Sequence, residues 1–416
     1  MTKDLDERFA AAMVAVFDKV PEPLCLAVSG GSDSMALMAL IASWQQQHSP
    51  ATKVSVITVD HRLRPESAGE ADFVKSRAKS YCFDHHTLVW TGWDGTGNTQ
   101  NEARQARYYL INAHLGENAT ILTGHTLDDQ AETVLMRIKR GSGVDGLAAM
   151  QPRLTHHNGL TVARPLLAFR RKELRTYLRA HAIDWVDDPS NENTQYDRVA
   201  IRALLPELEK AGISAEKFAL MAHHMAHAQK VLQHAAQVAF DAIGEQTPIG
   251  LAFRETDFWT LERDIQTRLI SAAIMWTSNV PFRPRYDTLT KCLGQVQTGH
   301  AQTLMGALMF RRRGKIYVVR EYARCAETVA MLMGTVWDNI WRIQNDTSEA
   351  QVGCLGEKGV AQLDPACKKL FPSRALWAQP AIFQNDKLLA APSLIKKDAA
   401  YLRDLRPKFR EFLKGH

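Results

Sequence analysis

The stretch at residues 24–34 constrains the fold of this chain more than any other part of its sequence. It begins with an apolar run, residues 24–28, that has the composition of a buried strand, and it ends in a small polar loop. Helix-like sequence follows at once, at residues 35–44. A buried strand that passes through a short loop directly into a helix is the first part of a unit that builds parallel sheets.

The same alternation continues through the first half of the chain. Strand-like runs at residues 54–59, 86–90 and 120–123 alternate with helix-like stretches at residues 66–81, 101–115 and 127–139. This pattern predicts an α/β domain in which helices cover both faces of a parallel sheet. Ligands of such sheets bind beyond the carboxyl ends of the strands, so we expect residues 29–34, 60–62 and 124–125 to meet on one rim.

The pattern changes after about residue 202. Residues 215–243 read as one long helix, and residues 251–324 combine a helix at 263–276 with a hairpin around Arg313 and Gly314 whose strands are residues 303–310 and 315–320. Short strands and turns follow from about residue 335. We therefore expect three domains, residues 1–205, 206–330 and 331–416, of which the last two are smaller α+β domains.

Composition limits the class of protein. With 416 residues, 45% of them hydrophobic and 23% charged, the chain has the composition of a globular protein of more than one domain. The net charge of +6 permits an anionic partner without requiring one. The six cysteines are never spaced as Cys-x-x-Cys, which argues against a zinc site. With no signal-peptide pattern and no run of bilayer-spanning length, we expect a cytoplasmic protein with no membrane role.

The loop after the first strand has the chemistry of a phosphate site. Adjacent Gly30 and Gly31 let backbone amides approach an anion, and the following helix start adds unpaired N–H groups. Asp33 is a candidate magnesium ligand. The candidate ATP-binding residues of this loop are Ser29, Gly30, Gly31, Ser32, Asp33 and Ser34. The loop contains no lysine, so it is not the Gly-x-x-x-x-Gly-Lys-[Ser/Thr] loop, and an ordinary strand–helix turn is the alternative.

Residues 124–133 carry a second cluster of functional side chains. His125, Asp128, Asp129 and Glu132 stand at a strand end and on the first turn of a helix. Adjacent carboxylates repel each other, so one of them is usually paired with a cation or shifted in pKa. A helix N-cap accounts for one aspartate at a helix start, but it does not account for these four residues together.

These motifs resemble a known family. Ser-Gly-Gly-x-Asp-Ser at 29–34 and Gly-His-x-x-Asp-Asp-Gln-x-Glu-Thr at 124–133 are similar to the N-type ATP pyrophosphatases, the PP-loop superfamily, and more narrowly to the tRNA(Ile)-lysidine synthases. Supporting motifs follow in order at residues 59–67, 102–108, 140–150, 164–167 and 188–202. Two positions depart from the family: Val199 replaces its usual asparagine, and Asp60 stands where it often has one.

The resemblance implies a Rossmann-like PP-loop ATPase domain and a tRNA-modifying ligase. Members of the family use ATP to adenylate the C2 carbonyl oxygen of the wobble cytidine in the CAU anticodon of tRNA(Ile). The ε-amine of L-lysine then displaces AMP to give lysidine, which changes codon reading from AUG to AUA and tRNA identity from Met to Ile. The implied cofactors are ATP and Mg²⁺, and the implied partners are this tRNA and L-lysine. A homodimer is left open.

The resemblance also implies roles for individual residues. Asp60 and His61 join the loop residues 29–34 in the ATP site, and Asp33 acts through magnesium. The predicted catalytic residues are Asp33, Arg104, Arg107, His125, Asp128 and Asp129. Among them, the arginines and His125 stabilise developing charge, whereas the aspartates bind the lysine ammonium and take up its proton. The predicted tRNA-binding residues are Arg198, Arg202, Arg311, Arg312 and Arg313, although an arginine-rich hairpin tip is equally typical of a solvated surface.

Three other functions are open to such a chain. A tRNA base thiolase of the same superfamily would use paired cysteines or an iron–sulfur site, and the sequence offers no paired cysteines. A relative that uses ammonia would need an ammonia source, for which the sequence shows no segment. A catalytically silent tRNA-binding protein would not need the intact loop and carboxylate cluster.

Overall fold

A computed structural model describes residues 2–62, 67–91, 99–116, 118–156, 159–187, 197–330, 333–344 and 350–415. The chain divides into two compact units, Met1–Gln229 and Lys230–His416. The predicted division into three domains at residues 205 and 330 stays a prediction. Residues 63–66 and 188–196 of the predicted motifs lie outside the described residues.

The first unit alternates strands and helices as predicted. Its strands are β1 (Leu24–Ala27), β2 (Val54–Asp60), β3 (Asp84–Val89), β4 (Thr120–Thr123), β5 (Arg153–Thr155) and β6 (Thr161–Ala163). Its helices are α1 (Thr2–Val16), α2 (Ser32–His48), α3 (Ser67–Ser80), α4 (Thr99–Leu115), α5 (Leu127–Lys139), α6 (Val144–Leu147), α7 (Arg171–Ala180), α8 (Asp197–Lys210) and α9 (Ala215–Ile243), the last of which extends into the second unit.

These strands form one sheet in the order β3-β2-β1-β4-β6-β5. The pairs from β3 to β6 are parallel, and β5 pairs with β6 in the antiparallel direction at the edge. The predicted parallel α/β sheet is therefore confirmed. The strand order reverses between β1 and β4, and an open parallel sheet places its ligand crevice beyond the carboxyl ends at such a reversal. The loops after β1, β2 and β4 end on that rim.

The core of the first unit holds the rim in place. On one face of the sheet, α2 and α7 pack together, with Leu37 of α2 and Leu174 and Leu178 of α7 fully buried. On the other face, Ile111 of α4 packs against Ile121 of β4. Because α2 and α7 are fixed by buried side chains, the loops at their amino ends are fixed as well.

The second unit is rich in antiparallel strands. Its strands are β7 (Gly244–Thr247), β8 (Gly250–Arg254), β9 (Gln302–Leu304), β10 (Ala307–Arg312), β11 (Lys315–Arg320), β12 (Val336–Trp337), β13 (Trp341–Ile343), β14 (Gln351–Cys354), β15 (Pro380–Gln384), β16 (Lys387–Ala390) and β17 (Leu402–Asp404). Its helices are α10 (Glu255–Thr260), α11 (Arg263–Ser278), α12 (Tyr286–Gln297), α13 (Gly356–Gln362), α14 (Pro365–Leu370), α15 (Ser373–Leu376) and α16 (Phe409–Phe412). The sheet orders are β7-β8-β11-β10-β9, β12-β13-β17 and β14-β15-β16.

The predicted hairpin is present, with one correction. Arg313 and Gly314 have φ values of 50° and 70°, which is the geometry of a two-residue turn that matches the twist of β10 and β11. The expected single strand at residues 303–310 is wrong, because it is two strands, β9 and β10. Met305 and Gly306, with φ values of 51° and 84°, turn the chain between them.

Candidate active site

The phosphate loop, residues 29–34, is a tight turn held by hydrogen bonds within the loop and to a neighbouring segment. Gly30 has a φ of 89°, a conformation that glycine adopts without strain, and its carbonyl oxygen accepts a 2.9 Å hydrogen bond from the Val186 amide. The Ser34 hydroxyl donates to the Gly31 carbonyl at 2.9 Å and accepts from the Ser29 amide at 3.2 Å. Gly31 is the N-cap of α2 and has no side chain to cap it, so the first N–H groups of this helix suit an anion.

Asp129 is a carboxylate of the site that accepts hydrogen bonds from four donors. Its Oδ2 accepts from the backbone amide and the hydroxyl of Thr126, both at 2.8 Å, in a capping box that begins α5. Its Oδ1 accepts from Nη2 of Arg171 at 3.0 Å and Nη2 of Arg198 at 2.7 Å. An ionised carboxylate has about four acceptor positions, so these four donors satisfy Asp129.

Glu132 is a fully buried anion surrounded by arginines. Its side chain has no exposed surface and accepts from Nε of Arg198 at 2.6 Å, Nε of Arg202 at 2.8 Å and Nη1 of Arg171 at 3.4 Å. Burying a charge is costly unless it is paired, and here three cations supply the pairing. Glu132 therefore ties α8, which carries two of these arginines, to α5.

Arg171, the first residue of α7, joins these carboxylates to the phosphate loop. Its Nε donates to Oδ2 of Asp33 at 2.8 Å, while its backbone amide donates to Oδ2 of Asp128 at 2.7 Å. Four residues later on the same helix, Nε of Arg175 donates to the Ser32 hydroxyl at 3.2 Å. The loop and the carboxylate helix, which is α5 with Asp128, Asp129 and Glu132, are therefore connected through arginines of α7.

The protonation states follow from burial and from these arginines. Burial raises the pKa of Asp33 above its ordinary value, and Arg171 opposes that rise. Burial also acts to raise the pKa of Asp129, but Arg171 and Arg198 outweigh it and bring that pKa to about 2. Burial lowers the pKa of His125 to about 3 and that of His61 to about 4. At neutral pH, Asp129 is therefore anionic and both histidines are neutral.

The other predicted rim residues lie where the strands end. Asp60 is the last residue of β2, and its Oδ1 accepts from the Arg62 amide at 2.8 Å. Nη2 of Arg107 on α4 lies 3.5 Å from Nε2 of His61, the residue that follows Asp60. Arg104 is exposed on the same helix, with its guanidinium 5.4 Å from the centre of a tyrosine ring.

His125 follows β4 on the same rim. Its Nδ1 lies 2.7 Å from the Thr123 hydroxyl. The neutral ring carries one N–H, so Nε2 can donate a hydrogen bond when the Thr123 hydroxyl donates to Nδ1.

The predicted tRNA-binding arginines occupy two places. Arg198 and Arg202 point into the carboxylate cluster, where they pair with Asp129 and Glu132. The hairpin arginines are exposed in the second unit: Arg311 pairs with Glu255, Nη1 of Arg313 lies 3.4 Å from the Lys369 carbonyl, and Arg312 is on the adjacent strand end. Their tRNA roles, like the catalytic and ATP-binding roles above, stay predictions.

Arg171 and Arg175 are the site residues that sequence reasoning missed. The signal that could have found Arg171 is a pair of consecutive arginines, Arg170 and Arg171, at the start of a helix. Positive charge is unfavourable at this end of the helix dipole unless carboxylates stand nearby, so the pair itself indicates acidic partners.

The residues present suit a magnesium ion held partly by phosphate. In the described part of the chain, no group of three or more His, Cys, Asp or Glu side chains is arranged to hold a metal. Asp33 has one oxygen on Arg171 and the other 3.3 Å from the Ser32 hydroxyl, at the loop that faces the crevice. Magnesium is commonly bound by one or two carboxylates together with substrate phosphates, so a single aspartate here fits it.

The fold and the site define a PP-loop protein. Residues 1–208 match the family described as a PP-loop domain, and they contain both the phosphate loop and the carboxylate helix. Among solved structures, the U34-tRNA thiolase NcsA from Methanococcus maripaludis aligns with a TM-score of 0.46 and 18% identity, covering 54% of this chain and 79% of that chain.

The similarity to curated proteins extends well beyond the first unit. A tRNA(Ile)-lysidine synthase from Ruegeria pomeroyi is 36% identical over 375 residues, which cover 89% of this chain and 88% of that protein. A second, from Wolbachia pipientis wMel, is 35% identical over 326 residues, covering 76% of this chain and 75% of that protein. The chain belongs to the tRNA(Ile)-lysidine synthase family, which confirms the resemblance noted in its motifs.

Proposed function

We propose that this protein ligates L-lysine to C2 of the wobble cytidine in the CAU anticodon of tRNA(Ile), with ATP as the activating substrate. The observation that carries the proposal is the direct link between the two halves of the site. One arginine, Arg171, bonds both to Asp33 on the phosphate loop and to Asp129 on the carboxylate helix. This link supports a site in which ATP splitting and amine binding lie side by side.

The first step activates the base. The C2 carbonyl oxygen of cytidine attacks the α-phosphorus of ATP, and the bond to pyrophosphate breaks, so that AMP is joined to the base. The loop amides and the start of α2 hold the departing pyrophosphate. Asp33 would hold Mg²⁺, which would supply positive charge to the phosphates. Neutral His125, together with Arg104 and Arg107, donates hydrogen bonds to the charge that develops on oxygen.

The second step forms the carbon–nitrogen bond. The ε-amine of lysine attacks C2, the bond from C2 to the AMP oxygen breaks, and AMP leaves with the electron pair. Only the neutral amine is a nucleophile, so the substrate ammonium must lose a proton first. Asp129, with a pKa of about 2, supplies a fixed negative charge but is a weak base. We assign the proton uptake to Asp128, which is partly exposed.

The tRNA is held by arginines that face outward. Arg311, Arg312 and Arg313 on the hairpin of the second unit contact its phosphate backbone. We place the reaction in the cytoplasm, where tRNA and free lysine meet. No helix in the described ranges combines the length and apolar character needed to span a bilayer. A homodimer is not part of the proposal, because nothing in the described part of the chain supports it.

One assay tests the function. Purified protein is incubated with labelled lysine and tRNA(Ile) carrying a CAU anticodon, with and without ATP. The expected result is ATP-dependent label in the tRNA, with AMP and pyrophosphate released in equal amounts. Label that appears without ATP, or no label with the cognate tRNA, overturns the proposal. Transfer of sulfur in place of lysine would favour the thiolase alternative.

A further inference from the structure

Arg171 differs from the other arginines of the site in what it connects. Its side chain reaches three carboxylates on two elements: Asp33 on α2 at 2.8 Å, and Asp129 and Glu132 on α5 at 3.0 and 3.4 Å. Its backbone amide bonds to Asp128 at 2.7 Å. By comparison, Arg198 bonds to two carboxylates of α5, and Arg175 bonds to Ser32 on the phosphate loop.

We propose that Arg171 is a positioning residue that couples the phosphate loop to the carboxylate helix, so that the adenylation and lysine-transfer steps depend on the same side chain. This inference rests on the proposed function. It assigns Arg171 no contact with substrate, because its guanidinium is already shared among Asp33, Asp129 and Glu132.

The geometry needs a guanidinium. A planar fork offers five donors in fixed directions, and three separate nitrogens of Arg171 are used toward three different carboxylates. A lysine ammonium carries the same charge but is a single point, so it can lie close to one or two of these acids and not to all three. Arg171→Lys therefore keeps the charge and removes the link between the elements.

Electrostatics give the link its strength. Asp129 is close enough for its negative charge to disfavour the charged form of Asp33, and Arg171 bonds to both carboxylates. Without a cation there, the two carboxylates would move apart or one would take up a proton. The apolar packing of Leu174 and Leu178 against the core fixes α7, which holds Arg171 at this point.

The same helix supplies a matched control. Arg179 lies two turns further along α7, is exposed, and has its guanidinium 5.6 Å from the Trp185 ring. Its distance along the helix keeps it away from both elements. Arg179→Lys therefore makes the same chemical change on the same helix without touching the site.

The experiment compares Arg171→Lys, Arg179→Lys and the unmodified full chain in two assays with tRNA. Exchange of labelled pyrophosphate into ATP in the absence of lysine reports adenylation, and lysine incorporation over a range of lysine concentrations gives its kcat and KM. For Arg171→Lys we expect exchange to fall about 100-fold and the KM for lysine to rise about 10-fold, since displacement of reacting groups by about 1 Å has effects of this size. Arg179→Lys should match the unmodified chain.

Two results with the lysine variants overturn the inference. One is an Arg171→Lys protein that changes one step while the other stays at the unmodified level, because coupling requires both. The other is an equal loss in Arg179→Lys, which would trace the effect to helix α7 in general. Equal thermal unfolding temperatures for the two lysine variants exclude a folding defect. Arg171→Gln, assayed with added guanidinium, is a further variant. We expect guanidinium to rescue both steps in this variant, and rescue of one step or of neither contradicts the link. If the unmodified chain transfers no lysine at all, the proposed function fails, which is a different outcome.

Discussion

Gly124 lies directly against the backbone of Asp33. A Cβ at position 124 would stand 2.8 Å from the carbonyl oxygen of Asp33, closer than Cβ atoms approach in proteins, and 3.0 Å from Cα of Ser34, which is a tight contact. The end of β4 therefore touches the first turn of α2 backbone to backbone. This contact brings the loop that carries His125 up to the phosphate loop, and it explains why glycine stands at this position.

Gly124→Ala is expected to disturb the ATP site. The added methyl group can be accommodated only if the β4 loop or the start of α2 moves, and overpacking of this kind costs about 1–3 kcal/mol. Chemical denaturation should show that loss, and the KM for ATP should rise. The control is Gly69→Ala on α3, where a Cβ meets no atom within 4 Å and alanine favours the helix. Equal behaviour of the two variants would contradict the role given to Gly124.

Glu132→Gln tests the buried anion of the site. The amide keeps the size of the side chain but leaves Arg198 and Arg202 facing a neutral group, and breaking a buried ion pair in this way costs about 3–5 kcal/mol. Urea unfolding of the first unit measures the change. Asp197→Asn breaks the exposed pair with Lys139 and should cost far less, because water and salt screen an exposed ion pair. A Glu132→Gln protein as stable as Asp197→Asn would show that the arginines do not need this anion.

The local sequence predicted helices and strands accurately where neighbouring residues mark their ends. The strand at Thr120–Thr123 and the helices Leu127–Lys139 and Ala215–Ile243 have the predicted bounds. For the first of these helices, Thr126 supplies the cap at the helix start, and the polar and apolar residues alternate with helical period. The strand predicted over residues 303–310 was wrong because a Met-Gly turn, unlike Asn-Gly, is a weak signal.

The local sequence could not predict the ion pairs between Arg171 and the carboxylates of the site. Arg171 and Asp33 are 138 residues apart in the chain, so no periodicity or motif relates them. The motifs predicted that the loop and the carboxylates share a rim, because parallel strands end together. Which cation neutralises the carboxylates depends on how α7 packs against the sheet, and that is set by tertiary contacts.

The pH dependence of stability should show the neutral state of His125. Its pKa is about 3 in the folded chain, against an ordinary value of 6.5. The unfolded chain therefore binds more protons between these values, so this residue's contribution to stability is complete above pH 6.5 and is lost as the pH falls towards 3. His125→Asn should be less sensitive to pH in this window. His224→Asn, which changes an exposed histidine of α9, should follow the unmodified chain. A His125→Asn protein with an unchanged pH profile contradicts the low pKa.

Neutralising the hairpin should weaken tRNA binding in a salt-dependent way. Arg312 ends β10, Arg313 lies in the turn, and Arg311 pairs with Glu255, so the double variant removes the two proposed phosphate contacts that lie outside this ion pair. In Arg312→Gln/Arg313→Gln, the slope of log affinity against log salt should fall by about 0.7–0.9 for each phosphate that the protein no longer neutralises. Filter binding over a salt series measures it. The control is Arg254→Gln. Arg254 is an exposed arginine on β8 of the same sheet and pairs with Asp257 of α10, and its replacement should leave the slope unchanged. A slope that is unchanged in the double variant removes the hairpin from the tRNA interface.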